Sequence, residues 1–172
     1  DLAGISTNID NARPVRAPHH TVTQTALIGG GSASAVVGEV SLAHKGILFL
    51  DELPEFRPSA LDALRQPLEQ REVVVNRAQW SARFPADAQV VAAMNLCRCG
   101  RAGARRGSPC SCTTTEVKRY RQRVSGAIMN RFDIAVRMDE PSRSLEELPR
   151  APKSAVFRAK IAEAQERQHR RL

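Results

Sequence analysis

The sequence predicts an α/β fold, a parallel sheet flanked by helices, and three observations predict it. Ile47-Leu48-Phe49-Leu50 is a short apolar run with Gly46 in front and two carboxylates, Asp51 and Glu52, behind. That pattern suits a buried strand of parallel type. Val90-Val91-Ala92-Ala93-Met94 is a second apolar run and ends at Asn95. Between and after the two runs, apolar residues recur at helical spacing, as at Leu61, Leu64 and Leu68.

Taken in order, residues 1–45 show no sustained period and hold Pro14, Pro18, His19-His20 and Gly29-Gly30-Gly31-Ser32, which predicts loops around short elements. The strand over 47–50 follows. Pro58-Ser59 opens a helix with Ser59 as N-cap and Asp62 as a weak capping-box partner, and Pro67 predicts a kink or an early stop. Glu72 to Arg77 and Trp80 to Phe84 lean towards β structure and predict a hairpin. Ala88 to Met94 is the second buried strand, and 97–112 is a Gly/Arg/Cys loop. Thr115 to Arg123 reads as a helix, Ser125-Gly126 breaks it, and a helical turn runs to Arg131. Ile134 to Met138 alternates apolar and polar residues, which predicts a further strand. Ser144-Leu145-Glu146-Glu147 is a capping box, and Ala155 to Arg171 is helical but polar on most sides.

With 42% hydrophobic and 26% charged residues, the 172-residue chain can bury a core and is not broadly disordered. Its longest apolar run, Val90 to Met94, is too short for a membrane span or a signal-peptide core, so a cytoplasmic protein with no membrane partner is expected. Five Phe, one Trp and one Tyr leave no large base-stacking platform. The chain starts at Asp1 rather than Met and is read as a fragment.

The net charge of +8 is concentrated. Residues 98–123 hold Arg98, Arg101, Arg105, Arg106, Lys118, Arg119, Arg121 and Arg123 against a single acid, Glu116. Such a block attracts polyanions by counterion release, and nucleic acid is the expected partner of Arg98, Arg101, Arg105 and Arg106. The competing explanation is an arginine-rich solvated face.

Carboxylates at the carboxyl end of a buried strand lie where open α/β sheets bind ligands. Asp51 is the candidate ligand of Mg-ATP and Glu52 the candidate base for the attacking water. Asn95, emerging from the second strand, can hydrogen-bond a γ-phosphate oxygen or orient that water, although a turn Asn is the commoner fate. Arg131, on a short turn, can stabilise phosphoryl charge, including across a subunit boundary, or else pair with Asp133. All four cysteines fall in Cys97-x-Cys99-x₁₀-Cys110-x-Cys112, a spacing that can supply four thiolates to structural zinc. A redox pair and inert thiols remain open. His19-His20 are expected in a loop and are not needed as zinc ligands.

The order of these parts resembles the magnesium-chelatase-like branch of the AAA+ ATPases. The strings Arg16-Ala17-Pro18-His19-His20-Thr21, Gly38-Glu39-Val40-Ser41-Leu42-Ala43-His44, Leu48-Phe49-Leu50-Asp51-Glu52-Leu53-Pro54-Glu55-Phe56, Leu64-Arg65-Gln66-Pro67-Leu68-Glu69 and Ala92-Ala93-Met94-Asn95 resemble its ComM/YifB subgroup. The resemblance covers about Arg13 to Arg143. It implies an AAA+ P-loop-type sheet with Asp51 and Glu52 as the Walker B pair, Asn95 as sensor 1, Arg131 as a trans-acting arginine finger and 72–84 as the pre-sensor-1 hairpin. Pro18 to Gly31 would belong to the helix-2 insert of this branch. Residues 1–140 would be a partial α/β core and 141–172 the start of a C-terminal helical lid. It further implies a ring, a hexamer, that hydrolyses ATP and remodels DNA by branch migration. Asn130 and Arg98 depart from the pattern, which commonly has Asp and Pro there. No Gly-x-x-x-x-Gly-Lys-Ser/Thr occurs in the 172 residues, so this piece is not expected to turn over ATP by itself. The alternatives are a chelatase-type motor subunit and a zinc-stapled, non-catalytic nucleic-acid-binding module.

Overall fold

The computed structural model describes residues 13–31, 34–76, 81–104, 107–138, 150 and 152–171. They fall into two compact units, one ending at Met138 and one starting at Asp139. The first unit runs β1 (Val15–Arg16), α1 (Gln24–Ile28), β2 (Gly29–Gly30), β3 (Val36–Val37), α2 (Glu39–Leu42) and β4 (Ile47–Leu50). A 3-10 turn at Leu53–Glu55 leads to α3 (Pro58–Ala63), α4 (Arg65–Gln70), β5 (Glu72–Asn76), β6 (Ser81–Pro85), β7 (Gln89–Ala92), α5 (Thr114–Arg121) and α6 (Gly126–Met129). The second unit contains α7 (Ser154–His169), which has no buried residue.

Three parallel strands make the main sheet in the order β1-β4-β7, with Val15 opposite Ile47 and Leu50 opposite Ala92. The start of this sheet requires a residue without a side chain. Ile47 donates its N–H to the Pro14 carbonyl at 2.8 Å, and a Cβ on Gly46 would stand only 1.9 Å from that oxygen. Gly46→Ala is therefore expected to cost about 3 kcal/mol, the upper range for overpacking, as a lowered denaturant midpoint. Nearby, the Lys45 ammonium lies 2.5 Å from Asp87 and holds that carboxyl below its ordinary range. Arg16 and Glu39 form a two-pronged ion pair at 2.6 and 2.8 Å, bracing β1 against α2.

The core gathers on one face of the sheet. Leu48 and Leu50 of β4 are buried with Leu27, Leu61, Leu64 and Ile128, whereas Ile47 and Phe49 are only half-buried. β7 has no buried residue, and Val91 is 40% exposed, which corrects the expectation of a second buried strand. Among the described residues β7 pairs only with β4, so it is an edge strand. The segment 134–138 forms no strand, and Ile134, Val136 and Met138 are exposed. Alternation can be expressed as a strand only where a neighbouring edge accepts the hydrogen bonds.

The expected cap at Ser59 is also corrected. The helix starts two residues earlier, with Pro58 at its first position and Arg57 as the N-cap. Asp62 instead accepts a hydrogen bond from Ser125 at 3.3 Å. The break foreseen from Pro67 falls at Leu64, between α3 and α4. Pro67 has no N–H to offer the carbonyl four residues back, so the chain restarts its helix there. The hairpin forms from β5 and β6, pairing Val74 with Arg83, and its tip at 77–80 lies outside the described residues. α5 carries a full capping box: Thr113 accepts from the Glu116 N–H, and Glu116 accepts from the Thr113 N–H at 2.7 Å. The capping box expected at Ser144 lies outside the described residues.

Candidate functional site

Parallel pairing of β4 and β7 decides where the acids and the amide emerge. Both strands run the same way, so both finish at one rim of the sheet. The ladder continues past the last strand residues: Ala93 donates to the Leu50 carbonyl at 3.0 Å, and Leu53 donates to the Ala93 carbonyl at 2.9 Å. Asp51, Glu52 and Asn95 all lie beyond these strand ends, and all three are exposed.

Glu52 has left-handed backbone (φ 52°, ψ 45°), an uncommon conformation for a side-chain-bearing residue. It turns the chain sharply from the strand into the 3-10 turn that starts at Leu53. Its N–H donates to Asp51 Oδ1 at 2.8 Å, which fixes the Asp51 carboxylate beside the strand end. The carboxylate of Glu52 faces His20, whose Nδ1 is 3.1 Å from Oε2. His20 stands edge-on to Phe56 at 6.4 Å between centroids and against His19 at 4.0 Å.

Arg131 does not join this group. It forms an ion pair with Glu69 of α4, not with Asp133, and borders a ≈ 330 Å³ cavity with Arg71, Asp87 and Gln89. Gln89 opens β7, so this cavity lies at the amino end of the strand that delivers Asn95 at its other end. An arginine so placed is remote from the acidic rim of its own chain.

The four cysteines converge. Their sulfur atoms all lie within 4.8 Å of one another, with Cys97–Cys99 at 3.3 Å, Cys99–Cys110 at 3.5 Å and Cys97–Cys110 at 3.7 Å. Four thiolates about 2.3 Å from a tetrahedral zinc ion would have sulfur–sulfur edges of about 3.8 Å, so the cluster fits such an ion with little adjustment. The Arg101 backbone N–H, helped by the Cys97 thiol, lowers the Cys99 thiol to about 6. At Cys110 the Cys112 backbone N–H pulls downward, but the Cys99 and Cys97 thiols and burial prevail and push it up to about 12. Crowded thiols resist successive deprotonation, and a divalent cation relieves that resistance.

The basic block divides in two. Arg98 and Arg101 are exposed on the cysteine loop, while Arg105 and Arg106 lie outside the described residues. Arg121 instead donates to the Leu96 carbonyl at 3.1 Å, and Arg123 donates to Glu55 at 2.8 Å. With Tyr120 buried, these bonds fasten α5 to both the start of the cysteine loop and the turn after Glu52. The partners His20, Glu55 and Arg123 were not identified from sequence. The adjacent histidines and the place of Arg123 in the basic block are visible in the sequence, and nothing local ties either to its partner.

Residues 3–146 match the family model described as magnesium chelatase, subunit ChlI. The chain is 40% identical over 161 residues to YifB of Salmonella typhimurium, and 43% identical over 161 residues to the competence protein ComM of Haemophilus influenzae. Each alignment covers 92% of this chain and 31% of the relative. A third relative, Rv2897c of Mycobacterium tuberculosis, is 44% identical over 125 residues, 73% of this chain and 24% of its own length. The chain thus spans less than a third of the length of these relatives.

Proposed function

The chain belongs to the magnesium chelatase subunit ChlI family, and we propose from that premise that it is part of an ATP-driven ring motor acting on DNA. The observation that carries this reading is the parallel β4–β7 pair, which finishes in Asp51-Glu52 on one strand and Asn95 on the next. Two carboxylates and an amide on one rim suit a hydrated metal–triphosphate. Asp51 would hold Mg²⁺, Glu52 would take the proton of the attacking water, and Asn95 would orient that water or a phosphate oxygen. The bound metal would offset phosphate charge. A phosphate-cradling loop is not among these residues and would come from elsewhere in the protein.

Arg131 fits a role across a subunit boundary because it lies away from its own chain's rim. A ring, with six subunits as the expected number, would bring it to a neighbour's nucleotide. Cys97, Cys99, Cys110 and Cys112 would hold one structural zinc ion and so stiffen the loop that carries Arg98 and Arg101 towards DNA.

Mixed assemblies of the full-length protein test the reading. Glu52→Gln and Arg131→Ala should each be inactive alone. Random co-assembly of the two should restore up to about a quarter of the ATP turnover, because some interfaces then combine an intact Glu52 with an intact neighbouring Arg131. Variants that co-assemble, as shown by size, and recover nothing would overturn the trans role.

A further inference from the structure

The His20–Glu52 contact has no place in the reading above, and its geometry is specific. His20 reaches Glu52 from the segment after β1, and its ring has two ring neighbours, Phe56 in an edge contact and His19 tilted against it at 36°. His19 is itself fixed, with Nδ1 2.9 Å from the Thr21 hydroxyl. The His20 side chain is only 27% exposed, against 52% for Glu52, so the more constrained ring meets the freer carboxylate. A glutamate at a strand end has several rotamers, and a base is effective only when its lone pair faces the water it activates. The Phe56 that backs the imidazole is wholly buried in the core, so the ring's position is set by packing.

We infer that His20 is the positioning residue for Glu52: its Nδ1–H holds one carboxylate oxygen and leaves the other to face the attacking water. This rests on the reading of Glu52 as the base. The bond acts on the orientation of Glu52 and does not touch nucleotide, so its loss should lower kcat and leave KM for ATP unchanged.

The test uses steady-state ATP hydrolysis by the full-length protein, with nucleotide affinity measured separately in a Glu52→Gln background. His20→Ala should lower kcat about tenfold with KM within twofold, a modest share of what an oriented base contributes. His20→Phe keeps the ring packing but loses the donor, and should be as slow as His20→Ala. His20→Asn keeps an N–H donor and should recover part of the rate. Adding His20→Ala to Glu52→Gln should cause no further loss, and nucleotide affinity should stay the same. Full activity of His20→Phe would mean that packing is the whole role, and a parallel rise in KM would mean a binding role; either overturns the inference. If Glu52→Gln abolishes turnover while His20→Ala is fully active, the positioning role alone fails. If Glu52→Gln itself turns over normally, the base assignment and this inference fail together.

Discussion

Glu52→Gln in the full-length protein is expected to lower ATP turnover roughly 1,000-fold while nucleotide still binds, since removing a general base costs on the order of 10² to 10⁴. The exchange is nearly isosteric, so the left-handed backbone at Glu52 and the hydrogen bond from its N–H to Asp51 are retained. Only the capacity to accept a proton is lost. Single-turnover hydrolysis with equilibrium binding of labelled ATP separates the two effects. A variant that binds and hydrolyses normally would remove Glu52 from the base role, and one that fails to bind would make it a ligand residue instead.

The second large effect is expected at the thiol cluster. Metal analysis of the reduced protein should find about one zinc per chain, and Cys97→Ser with Cys99→Ser should find none. Structural zinc contributes on the order of 10 kcal/mol to the folding of small metal-bound units, so this loop should become protease-sensitive in the double variant. Binding to duplex DNA should weaken in parallel and show a shallower dependence on salt, because Arg98 and Arg101 lose their fixed presentation. Wild-type protein free of metal under non-chelating conditions would reject the site. Unchanged DNA affinity in a metal-free variant would detach the loop from DNA binding.

The strand ends were legible because their signals are local. Ile47 to Leu50 closes on two acids, and four apolar residues in a row fix both the element and the place where charge returns. The hairpin and the helix split near Pro67 were likewise readable, the first from two β-leaning stretches with a short connection and the second from a missing N–H. Other features depend on distant neighbours. Val91 has the composition of a core residue, but it lies on an edge strand that pairs on one side only among the described residues. Ile134 to Met138 has the right alternation and, among the described residues, no partner strand. The pairing of Arg131 with Glu69, and of His20 with Glu52, joins residues far apart in sequence, and no periodicity encodes such contacts.

Arg121 and Arg123 act as two rivets, one at Leu96 beside Asn95 and one at Glu55 just past Glu52. A tug on the loop between them would travel along short, braced backbone to both strand ends at once. The first residues of the cysteine finger and the turn beyond the acidic rim thus share one anchor, the last turn of α5 and the residues just after it.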